Sequence, residues 1–172
     1  MHILIVGPRQ VGKSTLINKI ISSVNRPVWG FVTKKETHLL DPEHGHPIHI
    51  YDADGPHIQT KDNLVGYCWN QRPEVFTEVF DHFGERLLEK PPKDSLILMD
   101  EIGFMESKAE VFCNAILKLL DSDIPVIAAV KDKNTPFLDQ VKSHPNCRVF
   151  YIREDNRDEL FKDVLAFLQK QL

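Results

Sequence analysis

No apolar run in this chain approaches the roughly 18 residues that a membrane-spanning helix needs, so no membrane partner is expected. Cysteine is scarce: Cys68, Cys113 and Cys147 stand far apart, odd in number and without a CxxC pair. That excludes a disulfide framework and a thiolate zinc site, and fits reduced thiols in a cytoplasmic protein. A basic excess is also missing. The net charge of −4 argues against the clustered cations on which non-specific nucleic-acid binding rests, so nucleic acid is not an expected partner. Internal repeats, low-complexity tracts and interdomain linkers are absent too. The opening MHILIVG is too short for a signal-peptide core and leads straight into a glycine loop.

What remains is an ordinary globular composition, 42% hydrophobic and 27% charged over 172 residues. That length suits one domain, 1–172, with a buried core. Ile3 to Val6 is a short, continuous, β-branched run, as in a strand covered on both faces. Leu16, Ile17, Ile20, Ile21 and Val24 then recur at helical spacing. VWGFVTKK reads as a second strand. Residues 36–66 are rich in turn formers and histidine, and HPIHIYDAD alternates like an exposed hairpin strand, which predicts a small antiparallel insertion. A helix is expected from Pro73 to about Glu89, with Pro73 in its first turn. Strands at Leu96–Met99, Val126–Val130 and Arg148–Ile152 alternate with helices near Lys108–Leu120, Pro136–Lys142 and Arg157–Gln169. This alternation predicts an α/β fold, three layers around a mostly parallel sheet.

Two stretches carry chemistry. GPRQVGKS, Gly7 to Ser14, matches G-x-x-x-x-G-K-[ST], the Walker A phosphate loop. Gly7 and Gly12 permit the backbone turns that aim successive N–H groups at phosphate oxygens, and the following helix adds its N-terminal dipole. Lys13 is placed to reach the β- and γ-phosphates, and the Ser14 hydroxyl to ligate Mg²⁺. Chance matches to the four fixed positions arise in on the order of 1% of chains this long, and the flanking strand and helix are those the motif requires. The second stretch, SLILMDEIGFME, runs four apolar residues into Asp100 and Glu101. Asp100 at the end of a buried strand supplies the Walker B acid that serves Mg²⁺, directly or through water. Neighbouring strand side chains face opposite ways, so Glu101 shares that site only if the chain leaves the strand, which Gly103 permits. Placed there, Glu101 is a candidate general base for the attacking water; otherwise it is hydrated surface charge.

GPRQVGKSTL, GFVT, DEIGFME, IPVIAAV and EDNRDEL stand in the order and spacing of the small nucleoside-triphosphatases first described from thermophiles. The chain resembles that family, which also includes a human cancer-related member, over nearly its whole length. The resemblance implies a RecA-like core and slow hydrolysis of several nucleoside triphosphates (ATP, GTP and others) to diphosphate and phosphate. It further implies that Gly7, Pro8, Arg9, Gln10, Val11, Gly12, Lys13, Ser14 and Thr15 bind the phosphates, that Asp100 serves Mg²⁺, and that Glu101 is the base. This chain departs from the family at Lys35, Thr37, the VGYC stretch, Phe104 and Ser107.

Other residues leave two readings open. Arg157 either reaches the nucleotide or is a solvated charge in the last helix's first turn. Lys131 ends a strand on the sheet edge where ligands collect. His38, His44, His46 and His49 read as exposed loop histidines. Trp29, Tyr67 and Trp69 are core or base-stacking residues. Against hydrolysis stand two rivals: a kinase passing the γ-phosphate to a small molecule, and a switch with negligible turnover. Residues 36–71 hold only Lys61 as a lysine or arginine, which disfavours an arginine-rich kinase lid.

Overall fold

The computed structural model describes residues 1–70 and 72–172. In chain order the elements are β1 (His2–Gly7), α1 (Lys13–Ile21), β2 (Val28–Lys35), β3 (His46–Asp52), β4 (Leu64–Trp69), β5 (Arg72–Val75), α2 (Thr77–Leu87) and β6 (Leu96–Ile102). They continue with a 3₁₀ turn (Met105–Lys108), α3 (Glu110–Leu120), β7 (Val126–Lys131), α4 (Pro136–Lys142), β8 (Cys147–Tyr151) and α5 (Arg157–Gln169). One eight-stranded sheet takes the order β5-β4-β3-β2-β6-β7-β1-β8. Strands β2, β6, β7, β1 and β8 are parallel, and β3, β4 and β5 extend the β2 edge as an antiparallel meander.

Period-2 alternation divides the core into two apolar layers. Leu4 and Val6 of β1, Met99 of β6 and Ala128 of β7 face one way, onto Phe80, Phe112 and Ile116 of α2 and α3. Ile3, Ile5, Leu98 and Ile127 face the other, onto Ile17 of α1 and Leu160 and Val164 of α5. Helices therefore cover both faces, which is why the parallel strands read as unbroken apolar runs. At the α2–α3 crossing Gly84 lets the two backbones meet: a Cβ there would lie 2.6 Å from Phe112 Cα. No helix of the described residues is long and apolar enough to cross a membrane.

Three expectations need correction. Pro73 does not open a helix; Arg72–Val75 pairs with β4 as an edge strand, and α2 begins at Thr77. Proline is tolerated there because an outer strand's N–H groups have no further partner. β3 is not an exposed hairpin strand, since Ile48, His49, Ile50 and Tyr51 are buried. The acidic strand does not stop at Met99 but runs through Asp100 and Glu101 to Ile102.

Candidate active site

β1 delivers its last residue, Gly7, beside Lys131 at the end of β7. The chain then loops back over the strand end into α1. Gly7 has no room for a side chain, because a Cβ would lie 2.6 Å from Ile152 Cγ2. Gly12 caps α1 at a φ of +103°, a left-handed conformation that favours glycine. Over Gly12 lies the Arg157 guanidinium, with its Nε 3.4 Å from where a Cβ would stand and donating to the Val11 carbonyl at 2.9 Å. The last helix thus sends one cation to the mouth of the loop. Val11 packs its side chain into the apolar layer beneath, leaving its backbone at the loop. Pro8, Arg9, Gln10, Ser14 and Thr15 are exposed around the rim.

Lys13 is only 4% exposed. Its ammonium donates to the carbonyls of Gly7 and Pro8 at 2.8 Å each and lies 3.2 Å from the Glu101 carboxylate. The other oxygen of Glu101 is 3.4 Å from Lys131 Nζ. Beside this, the Ser14 hydroxyl donates to Asp100 at 2.9 Å. Both acids of the DE pair therefore reach the phosphate loop. The local cause is a break in register: Asp100 pairs with Ala129 and Ile102 with Val130, leaving Glu101 without a partner on β7. Such a bulge removes strict alternation and re-aims a side chain. The Asp100–Glu101 peptide is cis. Gly103 follows the redirection of the acid and does not cause it.

Burial pushes the Asp100 carboxyl up to about 6, only partly offset by the Ser14 hydrogen bond. A buried carboxylate so sparsely compensated is a fitting seat for a cation. With the Ser14 oxygen next to it, the pair has the hard-oxygen chemistry that Mg²⁺ prefers. Among the described residues no three His, Cys, Asp or Glu side chains group as a metal site. The histidines of the meander are placed separately: His44 bonds Glu74, His46 bonds the Leu39 carbonyl, and His49 is buried.

Lys131, expected at the ligand edge of the sheet, takes a defined place there, and Glu106 gains a role that spacing did not signal. Lys131 fills the gap between Gly7 and Glu101 and lies 4.7 Å over the Phe104 ring. Glu106 is buried and accepts the Gly103 N–H, so it pins the turn that follows the acid pair. Burial raises its carboxyl to about 7.

A glycine loop joining a buried parallel strand to a helix, with an acidic strand two places along the sheet, defines an α/β phosphate-loop protein. Residues 2–165 match the family described as NTPase, and the chain belongs to that family. It is similar to the nucleoside-triphosphatase THEP1 of Thermotoga petrophila, with 34% identity covering 98% of this chain and 93% of that one. The mouse cancer-related nucleoside-triphosphatase homolog is 26% identical, over 98% and 96% of the two chains. Among solved structures, the crystal structure of THEP1 from Aquifex aeolicus superposes with a TM-score of 0.73 at 22% identity, covering 98% and 99%. The solution structure of a human cancer-related nucleoside triphosphatase gives 0.67 at 22%, covering 98% and 97%. These two likenesses concern the fold.

Proposed function

We propose that this chain is a Mg²⁺-dependent nucleoside-triphosphatase, a single cytoplasmic domain over 1–172 that converts nucleoside triphosphates, ATP and GTP among them, to diphosphate and phosphate. The observation that carries the reading is the Glu101 carboxylate held between Lys13 and Lys131, 3.2 and 3.4 Å away, at the mouth of the phosphate loop. Nucleotide phosphates offer Lys13 stronger partners than the Gly7 and Pro8 carbonyls, and its ammonium turns from these and from Glu101 toward the β- and γ-oxygens. Glu101, released from that pair, accepts the proton of a water aimed in line at the γ-phosphorus. Backbone N–H groups of Pro8's successors, Arg9 to Thr15, face the phosphate chain, and Arg157 lies over the same helix end. Lys131 neutralises charge on the γ-oxygens from the side of β7. Ser14 and Asp100 would hold Mg²⁺, which would supply neutralisation of the phosphate charge.

Phosphate release from ATP, GTP, CTP and UTP with Mg²⁺ tests this, comparing wild type with Glu101→Gln. Loss of a positioned base lowers kcat by about 10²–10⁴. Triphosphate binding without release by the wild type would sink the enzyme; equal rates for the two proteins would sink the base.

A further inference from the structure

A cleft of about 510 Å³ opens beside the phosphate loop, on the β2–β3–β4 side. It touches Gly7, Pro8 and Arg9 but no residue of α1 or α5, so it lies away from Arg157 and from the helix N-terminus that would seat the phosphate chain. Glu101 and Lys131, in contact with each other, both line it. Hydrolysis needs room there for one water, whose share of liquid volume is about 30 Å³. The cleft is over ten times larger and has the size of a small-molecule site.

Its walls are chemically divided. Ile48, Phe80, Phe104 and Met105 offer apolar surface. Thr33 also lines it, and among the described residues its hydroxyl is buried without a hydrogen-bond partner. A buried hydroxyl left unpaired is costly, and a ligand oxygen would relieve it. At the outer end stand Arg9 and Lys35, which the cleft shares with an adjoining depression that carries Trp69, 48% exposed. An arginine and a lysine lining the same cleft suit a phosphate.

We propose that this cleft binds a second substrate, a nucleoside monophosphate, whose sugar hydroxyl replaces water as the γ-phosphoryl acceptor at Glu101. The ring lies against the apolar wall, the phosphate meets Arg9 and Lys35, and a sugar oxygen pairs with the Thr33 hydroxyl once that side chain rotates into the cleft. The acceptor oxygen bonds to the γ-phosphorus as the bond to the β–γ bridging oxygen breaks. The electron pair leaves with the nucleoside diphosphate, and the hydroxyl proton passes to Glu101. These cations come from the loop and from the end of β2, which is how the site escapes the shortage of cations in residues 36–71. The inference rests on Glu101 acting as base.

The test is ATP turnover with Mg²⁺ in the presence of each common nucleoside 5′-monophosphate, and of the unphosphorylated nucleosides in parallel. ADP and inorganic phosphate are counted separately, and the product is read by ³¹P NMR. At least one monophosphate should yield ADP in excess of phosphate and a second phosphomonoester, with its parent nucleoside a weaker acceptor. Lys35→Glu should raise the half-saturating acceptor concentration about tenfold, the loss of one charge-assisted hydrogen bond. Thr33→Val, which alters no volume, should raise it severalfold, so a misfolded Lys35 variant does not leave the matter open. Strict one-to-one ADP and phosphate with every acceptor would overturn the site while leaving hydrolysis standing. So would transfer to the monophosphate's phosphate instead of its hydroxyl. Wild-type hydrolysis by Glu101→Gln would instead remove the base reading.

Discussion

Replacing Glu106 by Gln should stabilise the protein at alkaline pH and leave it nearly unchanged in acid. The carboxyl is buried and holds the Gly103 N–H, and burial raises it from an ordinary 4.5 to about 7. In the unfolded chain it ionises near 4.5. Between those values the folded protein keeps a proton that the unfolded chain has released, so stability falls as pH rises through the window. Above about 7 the fall is complete. Moving a carboxyl over this interval corresponds to up to about 3 kcal/mol, given 1.36 kcal/mol per pH unit. Gln keeps the oxygen that accepts from Gly103 and never ionises. At pH 8 the variant should therefore melt above wild type by up to about 6–12 °C, at about 2–4 °C per kcal/mol for a chain of this size. At pH 4 the two should melt together. Thermal unfolding followed by circular dichroism at half-unit pH steps gives the difference curve, in which all other titrating groups cancel. A flat difference between pH 4 and 8 would refute the assignment of that burial cost to Glu106.

Gly84→Ala gains about 1 kcal/mol in an exposed helix, but here the added Cβ meets the Phe112 backbone at 2.6 Å; the net should be a loss of about 1–3 kcal/mol by urea denaturation, and a gain would show that α2 and α3 part freely. Asp100→Asn keeps an acceptor for Ser14 and removes the charge, so the Mg²⁺ concentration for half-maximal turnover should rise about 10–100-fold; superimposable Mg²⁺ titrations would dissociate Asp100 from the metal. Arg157→Ala loses the cation over Gly12, and triphosphate affinity should fall about tenfold in a fluorescent-nucleotide titration; unchanged binding would return Arg157 to solvated charge.

The parallel part of the sheet was legible because burial on both faces leaves runs of apolar residues, as in ILIV and LILM. The phosphate loop was legible for another reason: its glycines and lysine are fixed by backbone shape and charge, and both act locally. Contacts distant in sequence were not. Pro73 reads as a helix start until the neighbouring strand β4 claims residues 72–75. His49 looks solvated in a polar stretch, yet the sheet buries it. Glu101 could be placed only conditionally, since alternation forbids what a bulge against β7 permits, and pairing with β7 is invisible from within β6. Glu106 bonds Gly103, only three residues away, but its burial was not legible in its own segment. Lys131 was legible by its place at a strand end, while its pairing with Glu101 of another strand was not.

The position of β1 between β7 and β8 has a consequence for synthesis. The strand that carries the phosphate loop leaves the ribosome well before both of its neighbours, which follow it by more than a hundred residues. Until Val126 and its successors emerge, Gly7 has no Lys131 beside it, and until Tyr151 follows, β1 has an open edge. Pairings this remote in sequence close late in folding. A nascent chain thus carries the whole glycine loop without its neighbouring strands until β7 and β8 have emerged. Nucleotide chemistry waits on the arrival of the C-terminal strands.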